Sequence, residues 1–344
     1  MKYKNLGRAG VKVSELCLGT MIYGRQVDEA TSIKIIKKAV ERGINFIDTA
    51  DIYTEGRSEE IVGKAIEGMR DEIVLATKVW GTMGPGPNDK GLSRKHIMRS
   101  VNASLKRLGT DYIDLYQIHR PDPTTPLKET LTALNDLVRT GKVHYVGCST
   151  APVRWVEKAL RISAVNDLES FVSLQPRYNI IERDIEREIL PLCVEEGIGV
   201  IPYSPLAGGV LTGKYRPDTP FPEGSRGQLR PERIRRNLTP HNLEILTVME
   251  QISEETGLSM SQLSLAWLLA NAAITSPIIG ASKLEQVEEN VEVVNHAVPA
   301  EAVTRISEVS KPDWLCEQEE TEAHLRALEE QRRSYWKKRL EVKS

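Results

Sequence analysis

The amino-acid sequence predicts an α/β fold, a (β/α)₈ TIM barrel with an N-terminal hairpin and extra C-terminal helices, on three observations. Short β-branched runs alternate with amphipathic helical stretches in eight strand–helix units. No break in composition separates the units, and several strands are nearly continuous apolar runs, as in a parallel sheet covered by helices. An open doubly wound sheet would carry G-x-G-x-x-G after its first strand. Here that strand runs into Leu18-Gly19-Thr20-Met21-Ile22-Tyr23-Gly24 instead.

Taken in order, residues 3–13 read as a small hairpin, with Gly7 and Gly10 available for its turn. Barrel strands are expected near Glu15–Gly19, Asn45–Thr49, Ile73–Val79, Tyr112–His119, Val143–Ser149, Phe171–Gln175, Gly199–Tyr203 and Ser276–Ile279. Helical periodicity marks Ser32–Glu41, Glu59–Glu67, Ile97–Leu108 and Leu127–Val138. Residues 206–240 form a long Gly/Pro/Arg-rich connection, expected to lie on the catalytic face and able to close over a ligand. The barrel is assigned to residues 1–312 and a charged helical tail to 313–344. That tail is acidic first (Glu317, Glu319, Glu320, Glu322) and basic last (Arg332, Arg333, Lys337, Lys338, Arg339), the order that suits a helix dipole, with Leu325, Leu328 and Trp336 as an apolar stripe.

The bulk properties narrow the function. A formal charge of −2 over 344 residues gives no field to gather nucleic acid or an anionic membrane. Cys17, Cys148, Cys193 and Cys316 form no paired motif and read as reduced thiols. The histidines show no zinc-like spacing, so no metal is expected. With no span of ~18 apolar residues and no signal peptide in MKYKNLGRAG, the expected location is cytoplasmic. Gly208–Lys214 spells the start of a P-loop, but Tyr215 stands where the Mg²⁺-binding hydroxyl belongs, and prolines follow.

Four polar side chains fall at or just past strand ends, where barrel enzymes place their chemistry. They are Asp48, Tyr53, Lys78 and His119. Reducing a carbonyl needs a hydride donor on one side and an acid for the developing alkoxide on the other. A phenol is a weak acid near neutrality, and an adjacent ammonium is expected to lower its pKa. The ammonium in turn needs a carboxylate to stay charged when desolvated. Tyr53, Lys78 and Asp48 fill these roles, and His119 can orient or polarise the carbonyl oxygen.

These residues sit in motifs that resemble the aldo-keto reductase family over residues 3–310, close to its channel β-subunit-like branch. The motifs include Gly43-Ile44-Asn45-Phe46-Ile47-Asp48-Thr49-Ala50-Asp51-Ile52-Tyr53 and Asp111-Tyr112-Ile113-Asp114-Leu115-Tyr116-Gln117-Ile118-His119. Later ones are Ile201-Pro202-Tyr203-Ser204-Pro205-Leu206 and Ile279-Gly280-Ala281-Ser282-Lys283. The resemblance implies a catalytic tetrad with tyrosine as acid and an extended NADPH (NADP⁺) across the barrel mouth. Gly19, Thr20, Met21 and Asp48 then lie near the nicotinamide ribose, Ser149 and Gln175 at the carboxamide, and Tyr203 against the ring. Ser204, Leu206, Gly208 and Leu211 follow the pyrophosphate, with small residues permitting close approach. Gly280, Ser282, Lys283, Gln286, Glu289 and Asn290 make the adenosine end, with Lys283 favouring the 2′-phosphate. The family often has Asn after the serine of the fifth strand, where this chain has Thr150.

The expected function is NADPH-dependent reduction of a small-molecule aldehyde or ketone. The competing function is a cofactor-binding regulatory or sensor module of the channel β-subunit type. The chain shows no long N-terminal extension to act as an effector segment, which favours the enzyme. Met21, Ile22, Tyr23, Trp80 and Arg120 are the expected pocket walls, suited to short aldehydes, methylglyoxal-like compounds or sugars. A homo-oligomer is open to this fold.

Overall fold

The computed structural model describes residues 1–318 and 326. Strands β1 (Tyr3–Asn5) and β2 (Lys12–Ser14) pair antiparallel as the expected hairpin. Strands β3 (Cys17–Gly19), β4 (Phe46–Asp48), β5 (Val74–Val79), β6 (Ile113–Ile118), β7 (Val143–Ser149), β8 (Ser173–Gln175), β9 (Gly199–Val200) and β10 (Ile278–Gly280) form one parallel eight-stranded sheet in the order β10-β3-β4-β5-β6-β7-β8-β9. Bridges from Val200 to Ile274 and from Tyr203 to Ile278 close it into a barrel. The seventh strand was expected to run to Tyr203, but regular pairing stops at Val200. Pro202 has no N–H to give the ladder, so only isolated bridges continue beyond it.

Helices α1 (Glu29–Glu41), α2 (Arg57–Ile66), α3 (Arg94–Leu108), α4 (Leu127–Arg139), α5 (Val153–Val165) and α6 (Ile189–Glu195) follow the first six barrel strands. The connection after β9 is not one open loop. It holds a 3₁₀ turn over Ala207–Thr212 and the short helices α7 (Arg226–Leu229) and α8 (Pro231–Arg235), then α9 (Pro240–Thr256) and α10 (Met260–Ala270). Local signals fix the long pair: Thr239 caps α9 with Pro240 in its first turn, and Ser259 with Gln262 closes a capping box on α10. After β10 come α11 (Leu284–Glu292) and α12 (Ala300–Val309). Residues 313–318 start a further helix, but most of the expected tail, including its apolar stripe, lies outside the described residues. Among the described residues no helix is long and apolar enough to cross a membrane.

Two apolar layers result. The larger lies between sheet and helices; the smaller fills the barrel interior with Cys17, Phe46, Val74, Ala76, Leu115 and Ile201. Leu6, Ala9 and Val13 of the hairpin belong to this inner cluster, so the hairpin is the barrel's floor. Gly7 makes that contact possible. Its φ is +58°, and a Cβ there would stand 2.5 Å from the Gly199 nitrogen and the Val172 carbonyl oxygen, both backbone atoms that cannot swing aside. Gly10 meets nothing. Gly7→Ala should therefore cost on the order of 2–3 kcal/mol, left-handed strain plus clash, with Gly10→Ala near neutral. Urea unfolding of both variants checks this; equal midpoints would remove the hairpin from the folding core.

Candidate functional site

Side chains two apart on a strand share a face, and on four strands the inner face ends in a buried polar residue. Phe46 is followed by Asp48, Ala76 by Lys78, Leu115 by Gln117, and Ser173 by Gln175. These four polar residues are buried at the strands' C-terminal ends. Lys78 Nζ donates to Asp48 Oδ2 at 2.5 Å, to the Thr49 carbonyl at 2.7 Å and to Tyr53 Oη at 3.2 Å. All three donor positions of the ammonium are thus used. Burial alone would lower the lysine pKa, but Asp48 and then Tyr53 more than offset it, and the net shift is upward.

Asp48 Oδ1 accepts from Gln175 Nε2 at 2.8 Å and Gln117 Nε2 at 3.1 Å. Gln117, which the sequence reading did not single out, is therefore part of the site. Its signal was available: it lies on the strand face of His119, two residues on. Gly147 gives it room, because a Cβ at Gly147 would meet Gln117 Cγ at 3.2 Å and Ser173 Oγ at 2.4 Å.

Tyr53 follows β4 at the start of a turn in which Thr54 and Glu55 hold left-handed φ of 50° and 56°. Such strain outside glycine concentrates where surrounding structure enforces it, often at functional sites. The expected lowering of the phenol pKa does not occur. Burial raises it, Lys78 pulls it back, and Asp48 cancels part of that pull, so Tyr53 keeps its proton beyond the ordinary tyrosine range. His119 packs edge-on to Tyr53 with centroids 5.7 Å apart, and its buried Nδ1 has no hydrogen-bond partner among the described residues. Burial, then Lys78 and Arg120, push its pKa down to about 3, leaving a neutral imidazole at physiological pH.

The other expected residues line the same end of the barrel. Ser149 Oγ donates to the Gln175 carbonyl at 2.9 Å. Thr150 has φ +51°, a conformation costly for a β-branched residue and easier for Asn, which gives a physical reason for the residue the family often has there. Tyr203 borders the inner cluster, and Ser204 (φ +59°) has its carbonyl held by Asn179 Nδ2 at 3.0 Å. Gly208 lies with Leu206 and Leu211 along the 3₁₀ turn. Thr20 and Leu211 are fully enclosed, and the Thr20 hydroxyl bonds Ser58 at 2.8 Å. Gly19 ends β3 beside Asp48 and Met21 is exposed, whereas Tyr23, expected in the pocket wall, is completely buried. Arg120 stands 5.9 Å from the Trp80 ring. At the far side Gly280 ends β10, and Ser282 bonds Gln286 Oε1 through its nitrogen at 2.8 Å, with exposed Lys283 alongside. Glu289 instead accepts from Ser259 Oγ at 2.6 Å, and Asn290 is buried.

Behind Tyr53 lies a second buried polar group. Glu59 accepts from Thr77 Oγ1 at 2.6 Å and Arg107 Nε at 2.7 Å, tying α2 to β5 and α3. Asp51 beside it makes no well-formed hydrogen bond through either oxygen. Burial, then the Glu59 carboxylate, push its pKa up to about 7. A carboxyl raised in the fold binds its proton more tightly there than in the unfolded chain. Stability should therefore fall as pH rises from about 4 to about 7 and level off above. In Asp51→Asn that slope should be reduced, so the variant gains on wild type between pH 5 and pH 8 in urea unfolding; a constant difference across that range would contradict an Asp51 that titrates near 7.

Comparison with known proteins agrees with this geometry. The profile of the Aldo/keto reductase family matches residues 15–311. A protein of Arabidopsis thaliana named as a probable voltage-gated potassium channel subunit beta is 41% identical over 303 residues, covering 86% of this chain and 92% of that protein. Versiconal hemiacetal acetate reductase of Aspergillus parasiticus is 34% identical, covering 91% of this chain and 98% of its own length. L-glyceraldehyde 3-phosphate reductase of Escherichia coli O157:H7 is 35% identical, covering 86% and 88%.

Proposed function

The chain belongs to the aldo/keto reductase family and is an oxidoreductase of that class, and from that premise we propose that it reduces an aldehyde or ketone to an alcohol with NADPH, Tyr53 acting as general acid. The observation that carries this reading is the Lys78 ammonium, fully buried and shared between Asp48 and Tyr53 at the barrel mouth. NADPH, when bound, supplies a hydride to the carbonyl carbon. The residues do the rest. Tyr53 arrives protonated and gives its Oη proton to the oxygen as negative charge develops there. Lys78, 3.2 Å away, stabilises the phenolate left behind. Asp48 keeps Lys78 charged, and Gln117 and Gln175 fix Asp48. His119, neutral, has one ring N–H to orient the carbonyl.

The chain's own groups support an extended dinucleotide. Tyr203 borders the inner cluster, and Ser282, Lys283 and Gln286 gather polar groups at the start of α11. The cation at Lys283 favours the 2′-phosphorylated cofactor. We read residues 1–312 as the catalytic unit, at work in the cytoplasm. A second reading comes from the relative named as a channel subunit: cofactor binding retained as a sensor without useful turnover.

Tyr53→Phe removes one oxygen and leaves the ring packing. Its turnover with NADPH and a reactive aromatic aldehyde should fall about 10²–10⁴-fold, the usual worth of a positioned acid, with NADPH affinity by fluorescence changed less than twofold. Equal turnover by the variant would remove Tyr53 from the chemistry. Tight NADPH binding by wild type with no turnover on a broad carbonyl panel would select the sensor reading.

A further inference from the structure

Where β8 and β9 end, a cavity of about 520 Å³ is lined by Arg177, Arg230, Arg233, Arg236, Glu232 and Asn237, together with Pro231. Arg177 lies two residues beyond Gln175 and bridges Tyr203, so it stands at the barrel mouth, about 7 Å further along the strand than the amide that holds Asp48. The other arginines come from α8 and its flanks, within the connection that follows β9. The carboxylates nearby are already engaged: Glu232 with Arg235 at 3.5 Å, and Glu182 with Arg177 at 2.8 Å. Even there, Arg177 Nε makes no aligned hydrogen bond. Arg230, Arg233 and Arg236 have no carboxylate within 4 Å among the described residues.

Like charges gathered in this way oppose folding. Neighbouring Arg226 records the cost: burial first, then Arg233 and Arg230, hold its pKa below the ordinary arginine value. A protein of net charge −2 has ample carboxylates with which to neutralise such a cluster, yet among the described residues three guanidinium groups face one concavity with no carboxylate within 4 Å of them. Guanidinium forks match phosphate oxygens in geometry, and a phosphate monoester brings close to two negative charges, against one for a carboxylate. The cluster lines a cavity rather than a broad convex stripe, so it suits a small ligand better than nucleic acid or a membrane surface.

We propose that Arg177, Arg230, Arg233 and Arg236 form a phosphate-binding subsite at the barrel mouth that selects phosphorylated aldehydes as substrates. The subsite adjoins the course proposed for the cofactor, since a Cβ at Gly208 would stand 3.4 Å from Ile234 of α8, but it opens in a different direction. That course runs from Tyr203 along the 3₁₀ turn toward Ser282 beyond β10, whereas Arg177 lies across β9 on the β8 side. A substrate whose aldehyde reaches Tyr53 then has its phosphate end on the arginines. This proposal rests on the reductase reading for its substrate, while phosphate binding itself does not.

The test uses the full chain, wild type and Arg230→Gln/Arg233→Gln, with Arg236→Gln as a milder variant. Steady-state rates at saturating NADPH compare erythrose 4-phosphate with erythrose, and thermal unfolding is followed with inorganic phosphate against chloride at matched ionic strength. The proposal expects the KM for erythrose 4-phosphate to rise at least tenfold in the double variant, while KM for erythrose, kcat and the KM for NADPH stay within twofold. It also expects phosphate to raise the melting temperature of wild type and not of the double variant. A rise in the KM for NADPH that accompanies both aldehydes equally would assign the arginines to the cofactor and overturn the proposal. So would equal responses to the two aldehydes. If wild type reduces neither aldehyde, the reductase reading fails on its own, and the phosphate titration decides whether the subsite exists: no shift in wild type, or the same shift in the variant, overturns it.

Discussion

The site depends on keeping one ammonium charged where water is excluded. Lys78 is fully buried, and an isolated charge in such a place would be neutralised or would unfold its surroundings. Asp48 prevents this at 2.5 Å, and the Thr49 carbonyl and Tyr53 hydroxyl take the remaining donors. The cost moves outward to Asp48, whose second oxygen must also be satisfied, and two glutamine amides reaching across the barrel from β6 and β8 do so. Four strands are thus committed to one ion pair. The same exclusion of water explains why Tyr53 is not a stronger acid in this state: burial raises the phenol's pKa, and the carboxylate that holds the lysine cancels part of the lysine's downward pull.

The barrel supplies the positions through alternation and register. On β4, β5 and β6 the inward apolar residues Phe46, Ala76 and Leu115 are each followed, two residues up the strand, by a polar one, so the interior changes from oily floor to polar mouth. The hairpin plugs the lower end with Leu6 and Val13. Deviations from relaxed backbone cluster at the upper end, at Thr54, Glu55, Thr150, Ser204 and Ala207. Apart from Asp167 before β8, the non-glycine left-handed residues thus gather on the face that carries the polar groups, the arrangement expected of a site that must hold its geometry before a ligand arrives.

Much of this was legible in the sequence, for reasons that differ by element. The strands and helices announced themselves because burial on both faces of the sheet leaves continuous apolar runs, and the gathering of Asp48, Tyr53, Lys78 and His119 because strand ends are where this architecture places polar groups. The seventh strand was overextended because its apolar run ignored the missing N–H of Pro202. The connection after it was read as a loop because α7 and α8 are too short to show periodicity. Gln117 shares the strand face of His119, which alternation shows, but only the register sets its amide beside Asp48. Tyr23 was read as a pocket wall from its place after β3, but the turn there directs it into the core.

The ion pair can be tested without reference to turnover. Stability would be measured by urea unfolding for Lys78→Met, for Asp48→Leu and for the double variant. Breaking a buried pair from one side leaves an uncompensated charge and costs about 3–5 kcal/mol, whereas removing both charges does not. The account predicts that each single variant is destabilised by about that much and that the double variant is more stable than either. Additive losses would contradict it, showing that Lys78 and Asp48 are held by their separate surroundings rather than by each other.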